Sequence, residues 1–268
     1  MKTKIKFVII ATLAMFSALS CGSSETVSSK DIKPESIFEF YSLDFDANKN
    51  TANVTAQLRL GSFRGATVRL DQNENLTLDK QPFKKVDGDK VNAVADTASW
   101  LLFSPIFQLF KTGTFYYSSI NSFSGNRHRI VFENAVYHIH VPSFNLSSTE
   151  TRFAQDGVEA TFKYKANSNS PADAQEKISC LFSIEDIEGT LLSVLSTEAI
   201  VVGDGKAKCS KLFIDETNAT EIKSKAKRLV TEIKLQYEFP SQVSPRTATP
   251  NQVQIWTSNT REIISVVK

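Results

Sequence analysis

Methionine, tryptophan and histidine are scarce in this sequence, at two, two and three residues among 268. Long apolar runs are missing as well. The longest, Phe7 to Leu19, falls short of the roughly 20 residues that a membrane-spanning helix needs. Excess charge is also lacking. Residues 1–20 contain Lys2, Lys4 and Lys6 and no acid, which leaves 28 basic against 29 acidic residues from position 21 onward. Binding along a phosphate backbone needs a concentrated basic face, so nucleic acid is not an expected partner. No GxSxG elbow, phosphate-binding GxxxxGK[ST] loop, HExxH pair or GxGxxG turn is present. The chemistries those motifs carry are therefore not expected. No enzyme and no cofactor is predicted.

The amino terminus has a clear organisation. Met1 to Lys6 is basic, Phe7 to Leu19 is apolar, and Ser17-Ala18-Leu19-Ser20-Cys21-Gly22 follows with small residues before a cysteine. Such a three-part segment is a secretion signal. Its end resembles the lipobox of bacterial lipoproteins, although Ala18 stands three places before the cysteine where that family favours leucine. The resemblance implies acyl chains on Cys21 as the new amino terminus. Ala18-Leu19-Ser20 also fits ordinary signal peptidase, and cysteine parity separates the two readings. The chain has Cys21, Cys180 and Cys209, and an odd thiol in an exported protein calls for an explanation. With lipid on Cys21, the other two form a structural disulfide. Each buried methylene contributes about 0.8 kcal/mol, so two or three acyl chains anchor a protein firmly. Glycine rather than aspartate after the cysteine implies, by the same resemblance, the outer membrane. Residues 1–20 are thus the expected signal peptide, and the small polar residues of 21–35 a flexible tether.

Beyond the tether the sequence alternates with period two and shows no long 3.6-period segment, the pattern of an all-β protein. Ile37 to Phe45 and Ala52 to Leu60 read as strands joined through Asp46 to Asn50. Gly203-Asp204-Gly205 reads as a tight turn. Leu229 to Phe239 alternates most cleanly, with Pro240 expected to end it, and Val253 to Trp256 and Ile263 to Val267 read as two further strands. Several strands at hairpin spacing in each half predict two tandem antiparallel β-sandwiches, 36–144 and 145–268. The rhythm resembles the immunoglobulin-like modules of bacterial surface proteins, without their Cys-Trp-Cys signature.

Few residues carry recognisable chemistry. His138 and His140 share one strand face and, with His128, supply the residue types of a three-histidine metal site. Burial should pair apolar with apolar across this hairpin. That register sets His128 beside Ile139 and turns His138 and His140 toward Arg127 and Arg129, whose charge opposes a cation. No metal is expected, and His138 and His140 stand only as candidates for a metal-assisted hydrolase. Asp44-Phe45-Asp46-Ala47-Asn48 begins like a calcium loop, yet Lys49 and Thr55 stand where an EF-hand needs glycine and glutamate. A hairpin turn is the expected use of these residues. The most apolar stretch of the body is Trp100 to Phe110, and Trp100, Leu101, Phe103, Phe107 and Phe110 are the binding candidates. The expected function is a lipid-anchored, non-enzymatic binding or adhesion module of the envelope, with another envelope protein or a glycan as partner. A structural subunit that accepts a partner strand at an open sheet edge is the alternative.

Overall fold

The computed structural model describes residues 26–62, 64–71, 75–87, 114–154, 156–167, 174–213, 219–242 and 253–266. Cys21 and the Trp100 to Phe110 segment lie outside these residues. The protein is all-β. In chain order the strands are β1 (Thr26–Ser28), β2 (Ile37–Asp46), β3 (Thr51–Leu60), β4 (Thr67–Arg69), β5 (Leu76–Leu78), β6 (Gln81–Pro82), β7 (Lys84–Asp87), β8 (Thr114–Asn121) and β9 (Arg127–Phe132). They continue as β10 (Ala135–His140), β11 (Ser143–Ala154), β12 (Gly157–Asn167), β13 (Gln175–Glu185), β14 (Leu191–Glu198), β15 (Ile200–Gly203), β16 (Lys206–Leu212), β17 (Arg228–Gln242) and β18 (Val253–Val266). One short helix, α1 (Ala219–Lys225), precedes β17. Among the described residues no helix is long and apolar enough to cross a membrane.

Two compact units interleave along the chain. One comprises Met1–Phe40, Ala56–Glu74 and Lys84–Tyr116, and the other Tyr41–Thr55, Asn75–Phe83 and Tyr117–Lys268. In the first unit β1 pairs with β4 in parallel, Thr26 opposite Thr67 and Val27 opposite Val68. Phe38, Phe40, Leu58, Val68 and Phe115 fill its core. Arg59 is fully buried there and donates from Nη1 to the Gly65 carbonyl at 3.2 Å. Burial lowers the affinity of its guanidinium for the proton. Any side chain at Gly65 would collide with the Leu60 carbonyl oxygen, 1.8 Å from the Cβ position.

The second unit holds most of the chain. Strands β2, β18, β17, β13 and β14 adjoin in that order, and separate sheets run β10-β9-β5-β6 and β11-β12-β16-β15. Along β13 and β17 the alternate residues Ile178, Cys180 and Phe182, and Ile233, Leu235 and Tyr237, point to one buried face. From the other sheet, Phe144, Ala160, Phe162, Ala207 and Cys209 are buried likewise. Period-two alternation thus produces strands with one apolar face each. Cys180 of β13 and Cys209 of β16 form a disulfide, with Cα atoms 6.2 Å apart, that ties the two sheets together. The β15–β16 turn has positive φ at both Asp204 and Gly205, 50° and 68°. Those angles define a type I′ turn, whose twist suits a two-residue hairpin.

Two expectations need correction. Pro240 does not end its strand: β17 continues to Gln242, with a register shift against β18 between Phe239 and Gln242. A bulge absorbs the missing amide donor that would otherwise break the ladder. Val253 to Trp256 and Ile263 to Val267 are not separate strands, since β18 runs unbroken through the intervening polar residues. Its partner β17 is one residue longer, and backbone pairing carries a strand through residues of low apolar content. Strand β11 begins at Ser143 and continues through largely polar residues, with a register shift against β12 between Ser147 and Glu150.

Candidate functional site

The β9–β10 hairpin has the expected register: Ile139 faces His128, His138 faces Arg129 and His140 faces Arg127. His138 and both arginines are exposed. Desolvation first, then Arg127 and Arg129, lowers the His138 pKa from its ordinary value. His140 is lowered by desolvation, Arg127, His138 and His128, in that order. Both imidazoles are therefore biased toward the neutral form. Among the described residues no three His, Cys, Asp or Glu side chains gather closely enough to hold a metal ion.

His128 has a role that residue spacing did not show. It is 5% exposed, with Nδ1 2.7 Å from Asp79 Oδ2 and Nε2 2.7 Å from Ser122 Oγ. Asp79 Oδ1 also accepts from the Arg129 amide at 2.8 Å. These are the residue types and connectivity of a serine hydrolase relay. Access decides against that use. Ser122 is completely buried while Asp79 is exposed, the reverse of what attack on a substrate carbonyl requires. The chain of hydrogen bonds instead satisfies a buried imidazole and fixes the turn after β5. Asp79 is 49 residues from His128 in sequence, so no local motif announces it.

The residues that began like a calcium loop divide between two tasks. Asp46 Oδ1 accepts from the Asn48 and Lys49 amides at 2.9 and 3.2 Å, which shapes the β2–β3 hairpin. Lys49 Nζ lies 3.0 Å from Asp46 Oδ2. Asp44 is buried. Its Oδ1 accepts from Lys234 Nζ at 2.9 Å and from Ser258 Oγ, and its Oδ2 accepts from Ser42 Oγ at 3.0 Å. Ser42 in turn lies 3.2 Å from Thr55 Oγ1. These donors satisfy the hydrogen-bonding capacity of a buried carboxyl group.

Asp44 stands at the margin of an extended polar face. Directly paired residues on β13, β17 and β18 form successive rungs: Gln175, Glu238 and Trp256; Lys177, Gln236 and Ser258; Ser179, Lys234 and Thr260. Residues opposite one another in a sheet share a face, and this one is opposite the disulfide-bearing core face. Lys177 Nζ bonds Glu238 Oε1 at 3.0 Å, and Gln236 Nε2 donates to the same oxygen at 2.9 Å. Gln175 and Lys177 are exposed, and Trp256, Gln236, Glu238 and Lys234 are half-buried. Their positions are fixed by ladder pairing, so the donors and acceptors are organised before any ligand arrives. One rung further, Glu232 lies opposite Glu262. Burial raises the Glu232 pKa above its ordinary value, and Glu262 and Asp46 raise it further.

No protein-family model matches the chain, and no curated protein matches it. Among solved structures, a DUF3823 family protein from Bacteroides ovatus ATCC 8483 aligns over 87% of this chain and 100% of its own, at 10% identity and a TM-score of 0.29. A DUF3823 family protein from Parabacteroides merdae ATCC 43184 aligns over 87% and 98%, at 14% identity and 0.28. A proposed carbohydrate-binding protein from Bacteroides uniformis ATCC 8492 aligns over 85% and 98%, at 11% identity and 0.29. Likeness of this order does not place the chain with any of them.

Proposed function

We propose that this chain is a non-enzymatic binding module of the bacterial envelope, held by lipid on Cys21, and that its ligand is a glycan bound on the polar face of β13, β17 and β18. The observation that carries the reading is the pair of adjacent rungs in which Trp256, Glu238, Gln236 and Lys177 present a ring, a carboxylate, an amide and an ammonium side by side. A sugar offers hydroxyls that donate and accept, together with C–H faces that pack on an aromatic ring. The amide and carboxylate meet the first, and the amphipathic indole meets the second. Small-ligand sites combine a little apolar surface with a few polar groups in fixed positions, and a sheet supplies that fixity.

Burial of a candidate nucleophile supports the reading of binding without catalysis. The chain of Ser122, His128 and Asp79 has its hydroxyl sealed in the core. The anchor and the tether of residues 21–35 would hold the face near the membrane while letting it search the adjoining space.

Affinity electrophoresis through gels containing xylan, mannan, starch or arabinogalactan tests the glycan reading. At least one polysaccharide should retard the chain, and Trp256→Ala and Gln236→Ala should each weaken retardation about tenfold, the scale of one lost well-placed contact. Equal mobility of parent and variants in every gel would refute it.

A further inference from the structure

Strand β15 lies at the edge of the β11-β12-β16-β15 sheet, and its apolar residues are open to solvent. Ile200 is 71% exposed, Val201 56% and Val202 68%. Three consecutive branched apolar side chains on an exposed edge are unusual, because natural edges are guarded by lysine, proline or a covering segment. Single exposed apolar residues need no explanation, whereas contiguous ones do. The register against β16 shifts between Val201 and Gly203, so Val202 has no direct partner across the ladder.

The adjoining sheet face is cationic. Ile200 pairs with Lys208, and Lys208 with Thr161; the next rung joins Gly203, Lys206 and Lys163. Lys165 follows on β12, opposite Asn145. Lys163, Lys165 and Lys206 are exposed, and among the described residues none forms an ion pair with them. Carboxylates are present too. Glu159 is already bonded to Lys208 at 2.9 Å and Arg152 at 3.1 Å, and this pairing lowers its pKa. Glu150 is exposed on β11 directly opposite Thr161, Glu198 is exposed at the end of β14, and Asp204 sits in the turn. The lysines outnumber the carboxylates left unpaired on the rungs beside β15.

We propose that the β15 edge and the lysine face of β12 and β16 form a docking surface for an anionic lipid bilayer. An apolar trio beside a cluster of amines matches the layered chemistry of such a surface. The branched side chains enter the boundary between headgroups and acyl chains, and the ammonium groups sit among the lipid phosphates. An anionic polysaccharide would engage the lysines but give Ile200, Val201 and Val202 nothing to pack against. The surface lies on a different sheet from the proposed glycan face, so neither reading depends on the other.

The test uses the exported chain beginning at residue 21 and carrying Cys21→Ser, so that no acyl chain can account for binding. It is sedimented with vesicles of phosphatidylglycerol mixed with phosphatidylcholine, and with vesicles of phosphatidylcholine alone. Binding to the anionic vesicles is expected, weakening as salt rises. The pair Ile200→Ser and Val202→Ser should reduce it about tenfold, and so should the pair Lys163→Gln and Lys206→Gln. These positions are exposed, and an unchanged thermal transition confirms that the variants are folded. Absence of binding, equal binding to neutral vesicles, or binding unaffected by both pairs would overturn the proposal. So would a dimer in sedimentation equilibrium that Val202→Ser dissolves, because the edge would then belong to a second copy.

Discussion

Glu232 shows how a single side chain registers the sheet around it. Its carboxylate is partly buried, with Glu262 directly opposite and Asp46 nearby, so the folded state holds the proton more tightly than the unfolded chain does. Below the ordinary value of 4.5 both states are protonated and nothing is lost. As pH rises from there through the higher folded value, the unfolded chain releases its proton first, and stability falls. Glu232→Gln removes the like-charge pair. At pH 7 it should raise stability by about 0.2–1 kcal/mol, the range for a cross-strand pair, and the gain should vanish near pH 4. Urea denaturation at the two pH values measures this, and identical midpoints at pH 7 would contradict it. Alternation along residues 229–239 does place Glu232 among polar neighbours. The identity of the residue opposite it is set by a register that spans 30 positions of chain, which alternation alone does not reveal. The same holds for His128: its parity with Ile130 and Phe132 marks it as inward-facing, while Asp79 and Ser122 become its partners only in three dimensions.

At the level of elements, the Cys180–Cys209 bond joins strands from two different sheets across 29 residues of chain. Closing a loop of that length stabilises a fold by about 3–4 kcal/mol, chiefly by restricting the unfolded chain. Replacing both cysteines with alanine should lower the unfolding free energy by about that amount in urea titration, with the all-β circular dichroism signal retained. A change below about 1 kcal/mol would mean that the unfolded chain is already compact where the bond would restrain it. The pairing was legible from parity, and most strands from their alternation. The exceptions follow a common cause. β18 crosses polar residues and β17 passes Pro240. In each, backbone pairing with a long neighbour outweighs the local composition on which a sequence reading relies.

For the whole molecule, the proposed anchor makes a mass prediction. The mature amino-terminal peptide should begin at Cys21 and carry acyl chains, and growth with globomycin should leave the signal peptide uncleaved. An unmodified Cys21 in native material would remove the anchor from the proposed function while leaving the glycan face to be judged on its own. The all-β class was readable from the chain as a whole, because period-two alternation recurs throughout. The polar face of β13, β17 and β18 was not, because its rungs come from three separate stretches of sequence.

Asp44, near the end of the first long strand, receives hydrogen bonds at Oδ1 from Lys234 and Ser258, which lie 190 and 214 residues later. A polypeptide threading through a secretory pore amino terminus first would release β2 long before β18, the strand that lies beside it. In the interval β2 would offer an open hydrogen-bonding edge and an unpaired carboxylate, a state prone to mispairing. A holdase that shields extended segments until the final strand emerges would then raise the yield of native protein.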